Sequence, residues 1–522
     1  MNVSLRGMDW KRRTLTLAAW ALLALAPVAL MLVLSGVLGR SAWQNVPQWT
    51  DELDYWRAVY SWLHVGAQSG YTGIGEAIAP IGPLSVHGIS PLILYAWLGA
   101  IFGWSLNSII VYNCLWVAAG AITFCALNKP RAGIAALMAL ALTVYAPVVL
   151  YCATSMTELV NYGLLLFYLA FLFRLAHVRR EALRAGTDQP HRHGLVSLLL
   201  CGFTILFSCA YRITYVGLFL PLAVVASDFR WSGRLALALV ASVLLALGVY
   251  FGTAQFASPF TSGFLYNFLH AGSAQLAVQM FLSHAKANLY DYFLRDTSNA
   301  METLQRWLYW VVALWCLAAS FVRVQREGKR LRVRADFDSV ALMGFLTLLI
   351  PFAVVVCAYE TNDWSDYRTL APFLWLVVAA MLIRGRKLLP AVYLGGCALI
   401  LVVMALGEPL GAFGDPGRFA ALQPNAAQQE LCETIVYDPD ATDPFANTVR
   451  TDMFNANTIG MLDPHIGIQT GWFTSETVGN SRWILTDHLK IPVEGYVQVL
   501  RNEAGYVYRQ TWDMDEADLQ WK

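Results

Sequence analysis

Residues 11–38 read KRRTLTLAAWALLALAPVALMLVLSGVL, in which three basic residues precede an apolar run of 25 residues without a charged side chain. The apolar core of a cleaved signal peptide has only about 7–15 residues. A transmembrane helix needs about 20. This stretch therefore predicts a first membrane span, with its basic end outside the bilayer.

The composition of the remaining chain extends this prediction. Of the 522 residues, 57% are hydrophobic and 14% are charged, whereas soluble proteins carry about 25% charged residues. The mean hydropathy is +0.50. The net charge of +1 gives no field that would attract nucleic acid. The nine scattered cysteines suggest buried small hydrophobic residues rather than a disulfide framework.

Apolar segments predict a polytopic α-helical membrane protein with about 11 transmembrane helices. The candidate spans are 14–38, 105–127, 133–152, 158–175, 195–210, 213–227, 233–253, 306–322, 338–357, 369–384 and 388–407. As one helix, 195–227 would be ~50 Å long, too long for a ~30 Å apolar core. We therefore expect two short spans that turn near Tyr211 and Arg212.

The distribution of basic residues predicts the orientation. With a cytoplasmic N-terminus, 22 of the 36 Lys and Arg residues fall at the start or in cytoplasmic loops, and seven lie in or beside external loops. This bias follows the positive-inside rule. It predicts a multi-pass protein with a cytoplasmic N-terminus and a C-terminal domain outside the cytoplasm.

Two regions follow from this topology. Residues 1–409 form the transmembrane region, with a long first external loop (39–104) and an interfacial loop (254–305). Residues 410–522 form a small soluble α/β domain, with strand-like runs at 435–437, 483–485 and 496–499. The segment 275–295 resembles an amphipathic surface helix, which either guides a lipid substrate or simply lies on the membrane.

Acidic residues cluster in the first external loop, where residues 49–56 read WTDELDYW. The apolar spacing predicts an interfacial helix that begins with Asp51, Glu52 and Asp54. One interpretation is helix capping and favourable interaction with the helix dipole. The other is a general base, which contributes about 10²–10⁴ in rate.

The other external loops add one acid and two arginines. Glu158 stabilises the start of its helix or faces the first loop across a cavity. Arg368 follows Tyr367 at the lip of a span, where it extends its charge to water or holds a phosphate through its planar fork. Arg212 is a second candidate for that task. Acids and arginines at one rim suit sugar transfer from a lipid phosphate, because a cation stabilises the leaving phosphate while a carboxylate takes the acceptor proton.

At residues 51–55, DELDY, the sequence resembles the GT-C glycosyltransferases, in particular the bacterial branch related to protein O-mannosyltransferases and lipid A aminoarabinose transferases. That branch has an Asp-Glu-x-x-Tyr motif in its first external loop. Residues 87–95, HGISPLILY, loosely match its next motif, and Glu158 matches its acid in the second external loop. Residues 367–372, YRTLAP, match its arginine at the entry to a late span.

The resemblance implies a GT-C-like fold and an inverting transferase that uses a polyprenyl-phosphate-linked sugar on the non-cytoplasmic face. It implies that Asp51 is the base, with Glu52 supporting it, and that Arg368 and Arg212 bind the carrier phosphate. The further substrate-binding candidates are His87, Asp54, Glu158 and Tyr367. No cofactor is indicated with certainty, and the use of a divalent metal stays open.

The predicted partners are the polyprenyl-phosphate sugar donor, membrane lipid, and a glycan, lipid or protein acceptor. The main alternative is a transporter or flippase for a lipid-linked or sugar substrate. Transporters usually have internal repeats and polar residues at mid-membrane depth, and neither is visible here. A polysaccharide polymerase or ligase and a membrane scaffold are the remaining alternatives.

Overall fold

The computed structural model describes residues 9–39, 41, 46–66, 68–74, 88–185, 192–227, 232–254, 271–295, 300–327, 330–335, 337–359, 364–407, 425–452, 456–470, 480–487 and 495–511. Within these ranges the chain forms a bundle of helices and a mixed β-sheet. His87, the boundary near 409 and residues 255–270 and 296–299 of the interfacial loop lie outside the described residues.

The helices follow the apolar segments of the sequence. In chain order they are α1 (Trp10–Ala24), α2 (Ala26–Leu38), α3 (Thr50–Val65), α4 (Trp97–Phe102), α5 (Ser108–Asn128), α6 (Ala132–Thr143), α7 (Ala146–Tyr151), α8 (Glu158–Arg184), α9 (Arg192–Tyr211), α10 (Phe219–Ser227), α11 (Gly233–Ala254), α12 (Ala274–Phe293), α13 (Ala300–Phe321), α14 (Ser339–Ala358), α15 (Ala371–Ile383), α16 (Leu388–Gly407), α17 (Ala426–Glu433) and α18 (Ala456–Ile459). A π-helical turn, Leu92–Ala96, leads into α4.

The structure describes a helical membrane protein. By length and composition, six of the described helices can cross a bilayer, and seven can if the pair α1 and α2, bent by 72°, is one span. The bend lies at Leu25, between the two helices, and Pro27 follows as the second residue of α2. A proline lacks the backbone N–H that would continue the hydrogen bonding of the preceding helix. A helix lies on each of the eleven predicted segments, but several are short, so the count of eleven stays a prediction.

The predicted break in 195–227 is confirmed. Helix α9 ends at Tyr211, and Arg212 has extended backbone angles of φ −145° and ψ 120°. A 3-10 helix, Ile213–Leu218, then leads into α10. The break puts the guanidinium of Arg212 at a helix end instead of inside a continuous span.

Glycines bring α5 and α8 into close contact. A Cβ atom on Gly120 would lie 2.4 Å from the carbonyl oxygen of Gly163, and one on Gly163 would lie 2.7 Å from the backbone of Trp116. Small residues allow such close approach of membrane helices. This crossing fixes the axis of α8, whose first residue is Glu158.

The C-terminal region forms a mixed sheet with a strand from the first external loop. Its strands are β1 (Gly73–Ile74), β4 (Thr448–Thr451), β5 (Gly467–Thr470), β6 (Trp483–Thr486), β7 (Tyr496–Asn502) and β8 (Gly505–Gln510), while β2 (Val322–Glu327) and β3 (Arg330–Ala335) form a separate hairpin. The order is β1-β5-β4-β6-β8-β7, with parallel pairing among the first four strands and antiparallel pairing among the last three.

Two of the three predicted strand runs are confirmed as β6 and β7. The run 435–437 was predicted wrongly, because it is an irregular segment after α17. Immediately after it, the backbone N–H of Asp438 donates to Asn447 Oδ1, and Asn447 Nδ2 donates to the carbonyl oxygen of Asp438. The side chain of Asn447 therefore supplies the hydrogen-bond partners for the backbone of Asp438 that a neighbouring strand would supply in a sheet.

Arg57 fastens the sheet region to α3. Its fully buried guanidinium donates to the carbonyl oxygens of Ile459, Leu462, Asp463 and Ile466 at 2.5–3.2 Å. Burial lowers the pKa of Arg57 to about 10, but the group stays cationic at neutral pH. The C-terminal region and Asp51 therefore lie at the same end of the bundle.

Candidate functional site

Four charged side chains from separate segments meet at this end of the bundle. Arg368 Nη2 donates to Asp51 Oδ2 at 3.1 Å, and Arg212 Nη2 donates to Glu158 Oε1 at 2.9 Å. Arg368 Nε lies 3.9 Å from the same Glu158 oxygen, which links the two pairs. We call Asp51, Glu158, Arg212 and Arg368 the ion-pair cluster.

The two pairs differ in their access to solvent. The side chains of Asp51 and Arg368 are 22% and 25% exposed, whereas those of Glu158 and Arg212 are 3% and 12% exposed. Burial alone would lower the pKa of Arg368, but the charges of Glu158 and Asp51 outweigh it and raise the pKa above its ordinary value. The outer pair can meet a ligand, while the inner pair supports it.

Glu52 holds the start of α3. Its Oε2 accepts from the backbone N–H groups of Gln48 and Trp49 at 3.1 and 3.0 Å, and its Oε1 accepts from that of Ser155 at 2.6 Å. These charge-assisted bonds join the first and second external loops. Glu52 is fully buried, so its geometry suits the positioning of Asp51 and not proton exchange with a ligand.

Two asparagines hold the start of α8. Asn161 Nδ2 donates to the carbonyl oxygen of Glu158 at 3.1 Å, and the Tyr215 hydroxyl donates to Asn161 Oδ1 at 2.6 Å. Asn113 Nδ2 on α5 donates to the carbonyl oxygen of Met156 at 2.7 Å. Buried amides with both ends paired make this short loop rigid.

Asp54 lies one turn after Asp51 but is buried, with 1% of its surface exposed. Among the described residues its Oδ2 has no hydrogen-bond partner. Burial first, and then the negative charge of Asp51, raise the pKa of Asp54 well above its ordinary value. Such an environment favours the neutral form of the carboxyl group, which suits hydrogen bonding more than proton abstraction.

Tyr367 was predicted to bind substrate. In the structure its side chain points into the core and not toward the ion-pair cluster. It is 2% exposed, and its hydroxyl lies 2.6 Å from that of Tyr145. The rings of Tyr145 and Tyr309 pack edge-on against it. Its physical effect is to anchor the 3-10 helix Trp364–Thr369, which carries Arg368.

Sequence reasoning did not identify Tyr211 as part of the site. Its ring centre lies 4.9 Å from the guanidinium carbon of Arg212, and its hydroxyl hydrogen-bonds to Thr157. It therefore packs the arginine and joins the loop before α8. The available signal was its position next to Arg212 at the break between two short helices.

The described side chains do not form a metal site. No group of three or more His, Cys, Asp or Glu residues in the described ranges could hold a metal ion. The carboxylates of Asp51 and Glu158 are instead paired with arginines. Within the described part of the chain, both carboxylates therefore act as partners of arginine side chains.

Comparison with known proteins gives one distant similarity. No protein-family model matches the chain, and no curated protein matches it. A crystal structure of the Archaeoglobus fulgidus oligosaccharyltransferase, tethered to an acceptor peptide by a disulfide bond, aligns with a TM-score of 0.46 and 11% sequence identity. The alignment covers 89% of this chain and 65% of that protein, so this chain spans less than two thirds of its length. A similarity at this level does not assign a fold or an activity.

Proposed function

We propose that this chain is a membrane glycosyltransferase of the GT-C type. It moves a sugar from a polyprenyl-phosphate-linked donor to an acceptor hydroxyl on a glycan, lipid or protein, with inversion at the anomeric carbon. The observation that carries the proposal is the contact of 3.1 Å between Arg368 and Asp51, beside the buried pair of Glu158 and Arg212. A cation at this accessible point can stabilise the leaving phosphate, and a carboxylate beside it can take the proton of the acceptor hydroxyl.

The proposed reaction is a single displacement. The acceptor oxygen forms a bond to the anomeric carbon while the bond from that carbon to the carrier phosphate oxygen breaks. The acceptor proton goes to Asp51, and the electron pair of the broken bond stays on the phosphate. Arg368 stabilises this phosphate through charge-assisted hydrogen bonds.

Donor binding would change the partner of Arg368. In the described state this arginine donates to Asp51, which makes the carboxylate a weaker base. A donor phosphate next to Arg368 takes over that hydrogen bond and leaves Asp51 available for the acceptor proton. The base therefore becomes active only when the donor is present.

The inner residues have positioning roles in this proposal. Glu158 keeps Arg368 in place from 3.9 Å, and Arg212 compensates the buried charge of Glu158. We therefore assign the carrier phosphate first to Arg368 and not to Arg212, which is half as exposed. Glu52 fixes the position of Asp51 through the backbone of α3.

The proposed location is a bacterial inner membrane with the ion-pair cluster on the periplasmic face, and the basic-residue bias supports this sidedness. The docking of the C-terminal region through Arg57 is consistent with this orientation, because it keeps that region and Asp51 on one side. A donor on a polyprenyl carrier would reach the cluster from the outer leaflet.

The test uses the full chain in liposomes with polyprenyl-phosphate-linked sugars and follows sugar transfer. Asp51→Asn should lower transfer by about 10²–10⁴-fold, the usual contribution of a general base. Asp291→Asn is the matched control, because Asp291 lies on α12 and pairs only loosely with Arg295 at 3.7 Å. Full transfer by Asp51→Asn at unchanged expression would remove Asp51 as the base. Movement of a labelled lipid across the bilayer without modification would favour the transporter alternative.

A further inference from the structure

A second feature lies at the other end of the bundle. An apolar cavity of about 250 Å³ is enclosed by α8, α10, α14 and α15. Its walls include Leu172, Val224, Met343 and Val377, and the three arginines at its mouth are Arg179, Arg180 and Arg384. Its volume is close to the lower end of ligand pockets, about 300–1,000 Å³.

The cavity is remote from the ion-pair cluster. Glu158 is the first residue of α8, and Arg180 follows it 22 residues later in the same helix. At ~1.5 Å per residue these positions are ~33 Å apart along the axis, about the thickness of the apolar bilayer. Arg384 likewise follows the last residue of α15, whose start comes just after Arg368. The mouth therefore opens at the opposite membrane face.

Among the described residues that line the mouth there are three arginines and no acidic side chain. Of the described acids in this part of the molecule, Asp338 is bonded to Arg386, and Glu181 is paired with His177. Within the described ranges the guanidinium groups of Arg180 and Arg384 have no acidic partner within 4.0 Å, so they can attract an anion.

The cavity walls place a second requirement on that anion. The lining presents far more apolar than polar surface. The length of α8 between Glu158 and Arg180 puts the mouth at about the depth of the lipid headgroups. A free inorganic phosphate would satisfy the arginines and leave the cavity empty. A phospholipid satisfies both parts, because its phosphate and its acyl chain are joined at the same depth.

We propose that this cavity binds an anionic glycerophospholipid. Its phosphate contacts Arg180 and Arg384, and one acyl chain enters between α8, α10, α14 and α15. Bound lipid would fix the end of α15 at Arg384 relative to α8. At their opposite ends, α8 begins with Glu158 and α15 begins just after Arg368. The inference does not depend on the proposed glycosyltransferase activity.

The test is native mass spectrometry of the full chain, released from micelles that contain phosphatidylglycerol or phosphatidylcholine with identical acyl chains. The unmodified chain should bind the first phosphatidylglycerol about 30-fold more tightly, which is about 2 kcal/mol at ~1.4 kcal/mol per factor of ten. Arg180→Gln with Arg384→Gln should reduce this preference to about 2-fold or less. Both side chains are exposed, so the variant should fold.

Two further variants separate headgroup from chain. Arg234→Gln, an exposed basic residue at the start of α11 outside the cavity, should keep the full preference. Ala380→Phe fills the cavity beside α15 and should weaken binding of both lipids. Equal binding of the two lipids by the unmodified chain, or a full preference in the double glutamine variant, would overturn the proposal. Displacement of bound lipid by millimolar inorganic phosphate would assign the arginines to a free anion instead.

Discussion

Replacement of Glu158 by glutamine tests the inner part of the ion-pair cluster. The substitution removes one charge and keeps the shape of the side chain, which is 3% exposed. At an effective dielectric constant of ~20, a carboxylate 2.9 Å from Arg212 contributes about 6 kcal/mol of gross attraction, and 3.9 Å from Arg368 about 4 kcal/mol. Desolvation offsets most of this, and loss of one partner of a buried pair costs about 3–5 kcal/mol.

We expect Glu158→Gln to lower the free energy of unfolding by about 3 kcal/mol, because glutamine still accepts one hydrogen bond from Arg212. The assay is equilibrium unfolding of purified protein in micelles. Glu181→Gln, on the same helix with a 58% exposed side chain, is the control and should cost about 0–1 kcal/mol.

The double variant Glu158→Gln with Arg212→Gln provides an internal check. It leaves no uncompensated charge between these two positions, so its destabilisation should be smaller than the sum of the two single effects. Equal stability of Glu158→Gln and Glu181→Gln would refute the reasoning. Strict additivity in the double variant would refute it as well.

Three further predictions concern the elements around the site. Arg57→Met should abolish docking of the C-terminal region on α3, because four carbonyl oxygens lose their donor. The expected loss of folding free energy is about 3–5 kcal/mol, and faster proteolysis after residue 424 would report it. Asp54→Asn should increase stability relative to the unmodified chain as pH rises from 5 to 9. The pKa of Asp54 in the folded protein lies above its value of ~3.9 in the unfolded chain. The unmodified protein therefore has its full stability below pH ~3.9 and loses stability as the pH rises toward the folded pKa, whereas asparagine does not titrate. A stability difference between the two proteins that does not change with pH would contradict this. Gly70→Ala should disrupt the pairing of β1 with β5 by more than about 2 kcal/mol, since its Cβ would lie 1.9 Å from the Asn447 carbonyl oxygen, while Gly272→Ala, with open space around it, should change stability by less than about 0.5 kcal/mol.

The sequence predicted the parts of the site that depend on membrane sidedness. Successive loops between membrane spans lie on alternate faces of the membrane, and cytoplasmic loops carry more Lys and Arg, so the basic residues in each loop indicate its face. Asp51, Glu158, Arg212 and Arg368 were assigned to one rim on this basis, and the structure brings their side chains together. The break at Arg212 was predictable because an arginine is costly inside a span.

Contacts between distant segments were not predictable. Arg57 meets carbonyl groups about 400 positions later in the chain, and no local pattern marks such a partner. The described part of strand β1, Gly73–Ile74, is defined by its pairing with β5, which lies about 400 positions later in the chain. Tyr367 was assigned by its place beside Arg368, but neighbours in a 3-10 helix point in different directions, and its ring entered the tyrosine-lined core.

In the proposed reaction, Arg368 leaves Asp51 and holds the carrier phosphate. Binding of a sugar-free polyprenyl phosphate to the purified chain measures this most directly. Arg368→Gln should weaken binding about 10–150-fold through loss of charge-assisted hydrogen bonds. Asp51→Asn should tighten it about 5-fold, because the arginine no longer gives up an ion pair worth about 1 kcal/mol. Weaker binding in both variants, or unchanged binding in Arg368→Gln, would contradict the claim.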